Sequence, residues 1–253
     1  MKRKKKNSQY YTEVILDEKL LNYFGYELIY QENGYELIYQ EKKYGKKDLV
    51  SFKKDGVDVT KLELPSYFTY DEIDFKISQI DKNLFCNCKS LVEVIIPREV
   101  TIIGDDSFNG CESLEKLILS DKLIEIGKKA FANCSSLKNV KIPDTVTKID
   151  DKAFSGCKSL EKINIPNGVK EINYKVFLDC ESLRKINIPD SITEIGGYGF
   201  ANCSSLKSLK IPDTVTKIGA GAFGDCKCLK NVKLCSAKDR PSSDWKLAVA
   251  SQV

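Results

Sequence analysis

The feature that most constrains this chain is a strict repeat of 23 residues. Phenylalanine recurs at this interval without insertion or deletion, cysteine follows it by three residues, and leucine follows that cysteine by three. The recurring phenylalanines are Phe85, Phe108, Phe131, Phe154, Phe177, Phe200 and Phe223. Such a period is typical of a solenoid, because each unit has too few apolar residues to form a core alone and buries them against its neighbours.

One unit, which begins at Phe131, shows how a coil should fold. Val140 and Ile142 alternate with polar residues and predict a short strand. Pro143 ends that strand because it has no amide proton to donate to a sheet. Extended chain then runs to Ile149, and a turn leads to the next phenylalanine. We expect equivalent residues of successive units to stack at the strand spacing of about 4.8 Å.

The unit resembles the BspA-like subfamily of leucine-rich repeats, whose pattern runs Leu-x-x-Ile-x-Ile-Pro-x-x-Val-x-x-Ile-x-x-x-Ala-Phe-x-x-Cys. The match covers residues 85–234, with departures such as Ser120 and Cys235 at the proline position. The resemblance implies a leucine-rich-repeat solenoid with parallel β-strands on the concave face, short extended or helical turns on the convex side and a right-handed superhelix. Members of the subfamily are adhesins and surface or host-interaction proteins of microbes, which implies a protein-binding scaffold.

The segments outside the regular units predict a cap at each end of the array. Ile73, Ile77 and Ile80 keep the phase of the repeat, so one degenerate unit should begin near Leu62. The chain then divides into a basic disordered tail at 1–9, an N-terminal cap with a β-hairpin at 10–61, leucine-rich repeats at 62–235, and a tail or capping helix at 236–253.

The hairpin of the N-terminal cap is predicted from a tandem duplication, residues 25–33 followed by residues 34–42. Asn33 and Gly34 join the two copies, and this dipeptide between apolar-rich runs favours a two-residue hairpin turn. The expected pairs are Tyr30 with Leu37 and Ile29 with Ile38. The alternative is that one copy of the duplication is looped out.

The chain has ten cysteines and no histidine, which restricts its chemistry. Without histidine there is no Ser-His-Asp triad, no Cys-His pair and no His-ligated metal. Seven cysteines recur once per unit, at Cys88, Cys111, Cys134, Cys157, Cys180, Cys203 and Cys226. Because such a column is a line and not a tetrahedral cage, we interpret its thiols as interior groups that bond backbone carbonyls. Cys86, Cys228 and Cys235 lie outside the column, and no catalytic residue, metal or cofactor is predicted.

The side chains that should point outward from the concave strands are selectively basic. Three outward positions per unit carry ten basic and three acidic residues, a net charge of +7 in a chain of net charge +4. Val92, Ile95 and Ile118 make the N-terminal end of this surface apolar, whereas the cations cluster towards the C-terminal end. The predicted binding residues are Lys138, Lys141, Lys162, Asn164, Arg184, Lys185, Asn187, Lys207, Lys210, Lys230 and Lys233.

Three interpretations of this surface stay open at the level of sequence. A protein partner with an acidic surface is the first, because opposite charges steer association. A polyanion, either nucleic acid or sulfated glycan, is the alternative, but the outward positions lack the aromatic residues on which single-stranded nucleic acid stacks its bases. In the third, the lysines only keep a stacked sheet soluble.

The sequence also carries signals about location and assembly. It has no apolar stretch of the roughly 18 residues that a membrane span needs. Lys2 to Lys6 imitates the charged start of a signal peptide, yet no apolar segment follows, and many free cysteines suit a reducing compartment. These features favour a cytoplasmic monomer, and the family resemblance leaves the cell surface, reached by an unconventional route, as the alternative.

Overall fold

The computed structural model of the protein describes residues 3–6, 9–16, 26–32, 47–54, 57–63, 66–70 and 73–234. Each 23-residue unit forms one coil, and successive coils stack through short parallel strands on two sides. This arrangement confirms the predicted parallel-stranded leucine-rich-repeat solenoid. Within those ranges the segments between strands are turns and extended chain, with no helix.

The first sheet forms from the alternating apolar segment of each unit. Its parallel strands are β6 (Lys61–Glu63), β9 (Glu93–Ile95), β11 (Lys116–Ile118), β13 (Asn139–Val140) and β15 (Lys162–Ile163), continued by the pair β18 (Ser208–Ile211) and β20 (Asn231–Leu234). Leu117 is buried while its neighbours Lys116 and Ile118 are exposed, so side chains alternate inward and outward as in any strand. Leu62 lies opposite Val94, which extends the stack upstream of the first regular unit.

A second parallel sheet forms from the segment after each proline. Its strands are β2 (Gln9–Leu16), β8 (Ile73–Ile80), β10 (Ile102–Ile103), β12 (Glu125–Ile126) and β14 (Lys148–Ile149), and after an interruption β16 (Glu171–Ile172), β17 (Glu194–Ile195) and β19 (Lys217–Ile218). Ile103, Ile126 and Ile149 stack in its buried column. The sequence predicts only extended chain here, because two residues are too few to show the alternation of a strand.

The interruption of the second sheet lies between β14 and β16. The backbone amides of Thr147, Thr193 and Thr216 each donate a hydrogen bond to a carbonyl of the preceding coil. Among the described residues, the amide of Lys170 at the equivalent position makes no such bond. A side chain replaces the missing ladder, since Asn173 Nδ2 donates to the carbonyl of Ile149 at 2.7 Å. At this position a side-chain amide therefore joins the two coils in place of the strand ladder, while backbone bonds such as Phe154 N to Val176 O join them elsewhere.

Strands at the N-terminal end complete the second sheet. β2 runs parallel to β8, with Val14 opposite Ile77, and β7 (Tyr67–Tyr70) is antiparallel to β8 on this sheet. Residues 3–6 form strand β1 (Arg3–Lys6), antiparallel to β2, within the segment predicted as a tail. A sheet edge leaves backbone groups unpaired, and a basic edge strand covers them while discouraging further strand addition.

A separate antiparallel sheet contains the first copy of the duplicated segment. It consists of β3 (Tyr26–Glu32), β4 (Lys47–Lys54) and β5 (Val57–Asp58), with Tyr30 opposite Leu49. The predicted hairpin partners Leu37 and Ile38 lie outside the described residues, and so do residues 236–253.

The core is built from columns of identical residues. The seven repeated phenylalanines are buried, and their rings stack with centroid separations from 5.0 Å for Phe85–Phe108 to 6.1 Å for Phe154–Phe177. Adjacent coils also share backbone bonds at this column, as when Phe131 N donates to Ala153 O at 2.9 Å. The phenylalanine column is thus structural, as the sequence predicts.

Each turn around the phenylalanine requires two left-handed residues, four positions apart. Asn, Asp or Gly fills the second position, at Asn87, Gly110, Asn133, Gly156, Asp179, Asn202 and Asp225. The first position is less selective and holds Asn83, Asp106, Lys129, Lys152, Lys175, Tyr198 and Gly221. A Cβ atom on Gly110 would also lie 2.2 Å from Oδ1 of Asn87, so the Asn87 side chain would have to move.

Candidate functional site: the outward face of the first sheet

The first sheet presents its outward side chains in columns, because its strands are parallel and in register. Glu93, Lys116 and Asn139 lie opposite one another in successive strands. Lys162 follows Asn139 and pairs with Lys185 through a single bridge. Residues that share a repeat position therefore lie side by side in space.

Most of the predicted binding residues are exposed on this face. The exposed ones are Lys138, Lys141, Lys162, Arg184, Lys185, Asn187, Lys207, Lys210 and Lys230. We call the eight cations of that set the basic face. Lys233 lies opposite Lys210 in the pair β18–β20, and its side chain is outside the described residues.

Asn164 has a role in the fold. Its side chain is half-buried, Oδ1 accepts from the amide of Ile142, and Nδ2 donates to the carbonyl of Ile142, each at 2.8 Å. Both polar atoms of the amide thus bond the backbone of the preceding coil. The binding role of Asn164 stays a prediction.

In the part of the chain that the structure describes, no cation of the basic face forms an ion pair with an Asp or Glu. Glu115 and Glu161 share the outward column of Lys138 and Arg184 but form no ion pair with them in the described ranges. Like charges also stack directly, as at Lys162 beside Lys185 and Lys210 beside Lys233. Like-charged neighbours across strands are destabilising, so the arrangement costs folding energy instead of supplying it.

The N-terminal end of the same surface is apolar and internally paired. Val92 and Ile118 are 38% and 42% exposed. Between them Lys116 Nζ contacts Glu93 at 2.6 Å, and this hydrogen bond holds the pKa of the Glu93 carboxyl below its ordinary value. The charge gradient predicted from the sequence is therefore a property of the folded surface.

The second sheet provides an internal comparison, because the lysines of its outward column contact carboxylates, although Glu171 and Glu194 of the same column lie side by side. Lys148 Nζ contacts Glu125 at 2.7 Å and Asp150 at 3.0 Å, and Lys217 contacts Glu194 at 2.7 Å. The hydrogen bonds to these carboxylates raise the pKa of both lysines. Lysines of this sheet are thus neutralised within the fold, unlike those of the basic face.

The cysteine column is interior, and its thiols bond backbone. Sγ of Cys157 donates to the carbonyl of Phe131 in the preceding coil at 3.2 Å, and the other coils repeat the contact at 3.0–3.3 Å for Cys111, Cys134, Cys180, Cys203 and Cys226. Burial raises the pKa of the Cys157 thiol to about 12. This confirms the interior interpretation. Cys228 is exposed, Cys86 is half-buried, and Cys235 lies outside the described residues.

Acidic side chains in the turns accept hydrogen bonds from groups of the turns. Oδ1 of Asp105 accepts from the amide of Lys128 at 2.7 Å, and Oδ1 of Asp106 accepts from the side chain of Asn109 at 2.8 Å. Across the described ranges, no group of three or more Cys, Asp or Glu residues is placed to hold a metal ion. No helix in those ranges has the length and apolar character needed to cross a membrane.

A pair of exposed tyrosines on the surface is not among the residues predicted from the sequence. Tyr174 and Tyr198 lie on the turn after the second sheet, and both remain substantially exposed. The signal that could have revealed them is a departure from the repeat, because equivalent positions in other units hold Asp, Asn, Lys, Gly or Ala.

Comparison with known proteins agrees with this geometry. The profile described as BspA type Leucine rich repeat region (6 copies) matches residues 65–158 and 124–241. A leucine rich cell surface protein from Faecalibacterium prausnitzii is 30% identical, with a TM-score of 0.67 over 86% of this chain and 57% of that one. The T. pallidum Leucine Rich Repeat protein is 29% identical, with a TM-score of 0.62 over 76% of this chain and 83% of that one.

Two further results bound the comparison. The chain spans only 57% of the length of the F. prausnitzii protein. No curated protein matches the sequence.

Proposed function

Because the chain belongs to the BspA-type leucine-rich repeat family, we propose that it is a non-catalytic scaffold that binds a protein partner through the outward face of its first sheet. The observation that carries this proposal is the contrast between the two sheets. Lysines of the second sheet pair with carboxylates of adjacent coils, whereas the cations of the basic face do not. Stacked, unpaired charge costs stability, and a partner that supplies carboxylates would recover that cost.

The partner that fits has an acidic surface beside an apolar patch. The basic face would meet the acidic part, and Val92 and Ile118 would meet the apolar part. Exposed apolar residues contribute contact area, while the cations contribute orientation and a faster association rate. The partner should therefore cross several coils along the stack instead of contacting a single coil.

A lysate capture with matched variants tests the proposal. The test variant carries Lys207→Glu, Lys210→Glu and Lys230→Glu on the basic face, and the control carries Lys128→Glu, Lys170→Glu and Lys227→Glu at exposed positions elsewhere. Both variants change the net charge equally. We expect the control to capture the same proteins as the native chain and the test variant to lose them. Identical capture by the two variants would rule out the basic face as the binding surface.

Polyanion binding is the second candidate, favoured by the same unpaired cations. Salt separates it from a protein interface, because displacement of counter-ions from a polyanion makes affinity fall steeply as salt rises. Affinity for heparin and for a captured protein should be measured at low and at moderate salt. Saturable binding of heparin whose affinity falls steeply as salt rises would favour polyanion binding. An affinity for the captured protein that changes little with salt would favour the protein-binding scaffold.

The proposal also includes location and assembly. We propose a cytoplasmic monomer, since the buried cysteines of the described residues are thiols and not disulfides, which suits a reducing compartment. The alternative is the cell surface, which is the location printed in the name of the F. prausnitzii protein. Immunodetection on intact and on permeabilised cells distinguishes the cell-surface location from the cytoplasmic one. Analytical sedimentation measures the mass in solution and so tests whether the protein is a monomer.

A further inference from the structure

A second exposed surface lies half a coil away from the basic face. Tyr174 and Tyr198 are 40% and 44% exposed, and their rings meet edge to face with centroids 6.2 Å apart. Lys175 Nζ lies 4.9 Å from the centroid of the Tyr174 ring and 5.1 Å from that of Tyr198. Lys152 Nζ lies 5.9 Å from the Tyr174 ring. We call these four residues the tyrosine patch.

The neighbouring coils make room for the two rings. A Cβ atom on Gly221 would lie 2.7 Å from Cε1 of Tyr198, and one on Gly197 would lie 3.6 Å from Cδ2 of Tyr174. Each tyrosine ring thus lies against glycine backbone of the following coil. This pairing of ring and glycine is absent from the earlier units, which place Asp, Asn or Lys at these positions. The patch is therefore a local construction within a regular array.

Tyr198 occupies its position at a conformational cost. Its φ is 55°, in the left-handed region that bulky residues rarely adopt, and the equivalent residue of the next coil is glycine. Every coil adopts this conformation at the equivalent position, so the exposed aromatic ring and not the backbone distinguishes Tyr198.

The geometry limits what can bind there. The turn amides are already used between coils, since Lys175 N donates to Gly197 O and Tyr198 N to Ala220 O, both at 3.0 Å. An extended peptide would find no free backbone edge to pair with. A cationic ligand would meet the ammonium of Lys175, which already lies near both ring faces. What remains available is an aromatic surface beside two ammonium groups.

We propose that the tyrosine patch binds an acidic sugar unit, with the C–H face of the pyranose on the tyrosine rings and its carboxylate or sulfate towards Lys175 and Lys152. Aromatic rings offer an apolar surface with polar edges, and an ammonium group pairs with an anion. In the described part of the chain neither lysine forms an ion pair with a carboxylate. This site is separate from the basic face, and neither proposal depends on the other.

The test uses a tetrasaccharide that contains uronic acid units. It is compared with the methyl ester of the same tetrasaccharide, in which each carboxylate is replaced by a neutral ester group. Binding to the full chain is measured by calorimetry, with saturation-transfer NMR to identify the contacting sugar protons. We expect saturable binding of the acid form, at least tenfold tighter than that of the ester. No saturable binding, or equal affinity for the two forms, overturns the proposal.

Variants separate this site from the fold and from the basic face. Tyr198→Gly copies the residue of the next coil and should weaken binding at least tenfold without lowering the unfolding midpoint, because it relieves the left-handed tyrosine. Lys175→Met should abolish the preference for the acid form, and Lys207→Glu with Lys210→Glu should leave binding unchanged. Native affinity in Tyr198→Gly overturns the proposal. So does a glutamate peptide that binds through Tyr198 when the sugar does not.

Discussion

The side-chain amide of Asn164 takes the place of a strand partner for Ile142. Oδ1 of Asn164 accepts from the amide of Ile142 and Nδ2 donates to its carbonyl, both at 2.8 Å. In an earlier coil the corresponding role is played by backbone, because Ile96 N donates to Ile118 O at 2.9 Å. An asparagine that the sequence pattern places on the binding surface is therefore part of the stack.

Removing that amide should destabilise the array. Asn164→Ala leaves two backbone groups of Ile142 without partners, and a buried unsatisfied group costs about 1–3 kcal/mol. Asn187→Ala is the matched control, because Asn187 holds the same repeat position and is exposed. Urea denaturation should show a loss of about 2 kcal/mol for the first variant and less than about 0.5 kcal/mol for the second. Equal losses would contradict the bonding described for Asn164.

The left-handed turn positions predict a stabilising substitution. Lys129 has a φ of 52°, and a left-handed conformation costs a side-chain-bearing residue about 1–2 kcal/mol. Lys129→Gly should raise the free energy of unfolding by about 0.5–1 kcal/mol, since part of the gain is offset by the greater freedom of glycine in the unfolded chain. Lys128→Gly, at a position outside the left-handed set, should lower it. Thermal unfolding of both variants measures the difference, and a loss in Lys129→Gly would contradict the prediction.

The buried thiols predict a fold that weakens in alkali. Burial raises the pKa of Cys157 from 9.0 to about 12, so the unfolded chain loses this proton at lower pH than the folded chain does. The stabilisation that this thiol contributes is fully present below about pH 9 and is lost as pH rises towards the pKa of the folded chain. Over that range the free energy of unfolding falls by about 1.4 kcal/mol per pH unit for each such thiol. Cys134 and Cys180 are shifted in the same direction by burial.

The measurement is urea denaturation between pH 8 and about pH 11 under reducing conditions, where the thiols stay free. Stability should fall with rising pH, and Cys157→Ala should have a shallower slope, although it is less stable at pH 8 because it loses packing. Slopes that do not differ between native chain and variant would show that ionisation of this thiol is not linked to unfolding.

Much of the fold could be predicted because the repeat is exact. A period without insertions places Phe131, Cys134 and Leu137 in buried columns, and all three are buried. The outward columns follow from the same register. What the period cannot reveal is a contact made by one unit alone: Asn164 and Asn187 share a position, yet Asn164 bonds the backbone of Ile142 whereas Asn187 is exposed.

Other features depend on properties that residue spacing does not carry. The second sheet has strands such as Lys148–Ile149, which are too short to alternate. Tyr198 adopts a left-handed φ that composition does not predict for a tyrosine. The strand Arg3–Lys6 depends on an edge that exists only after the sheet has formed. These outcomes arise from tertiary contacts and override local preference.

The central claim, that the basic face is the surface a protein partner covers, can be tested by lysine footprinting. Acylation rates of individual lysines would be measured by mass spectrometry for the chain alone and with a captured partner. Lys138, Lys141, Lys207, Lys210 and Lys230 should become protected, while Lys128, Lys170 and Lys227, which are also exposed, should keep their rates. Protection of the second group with unchanged rates in the first would contradict the claim.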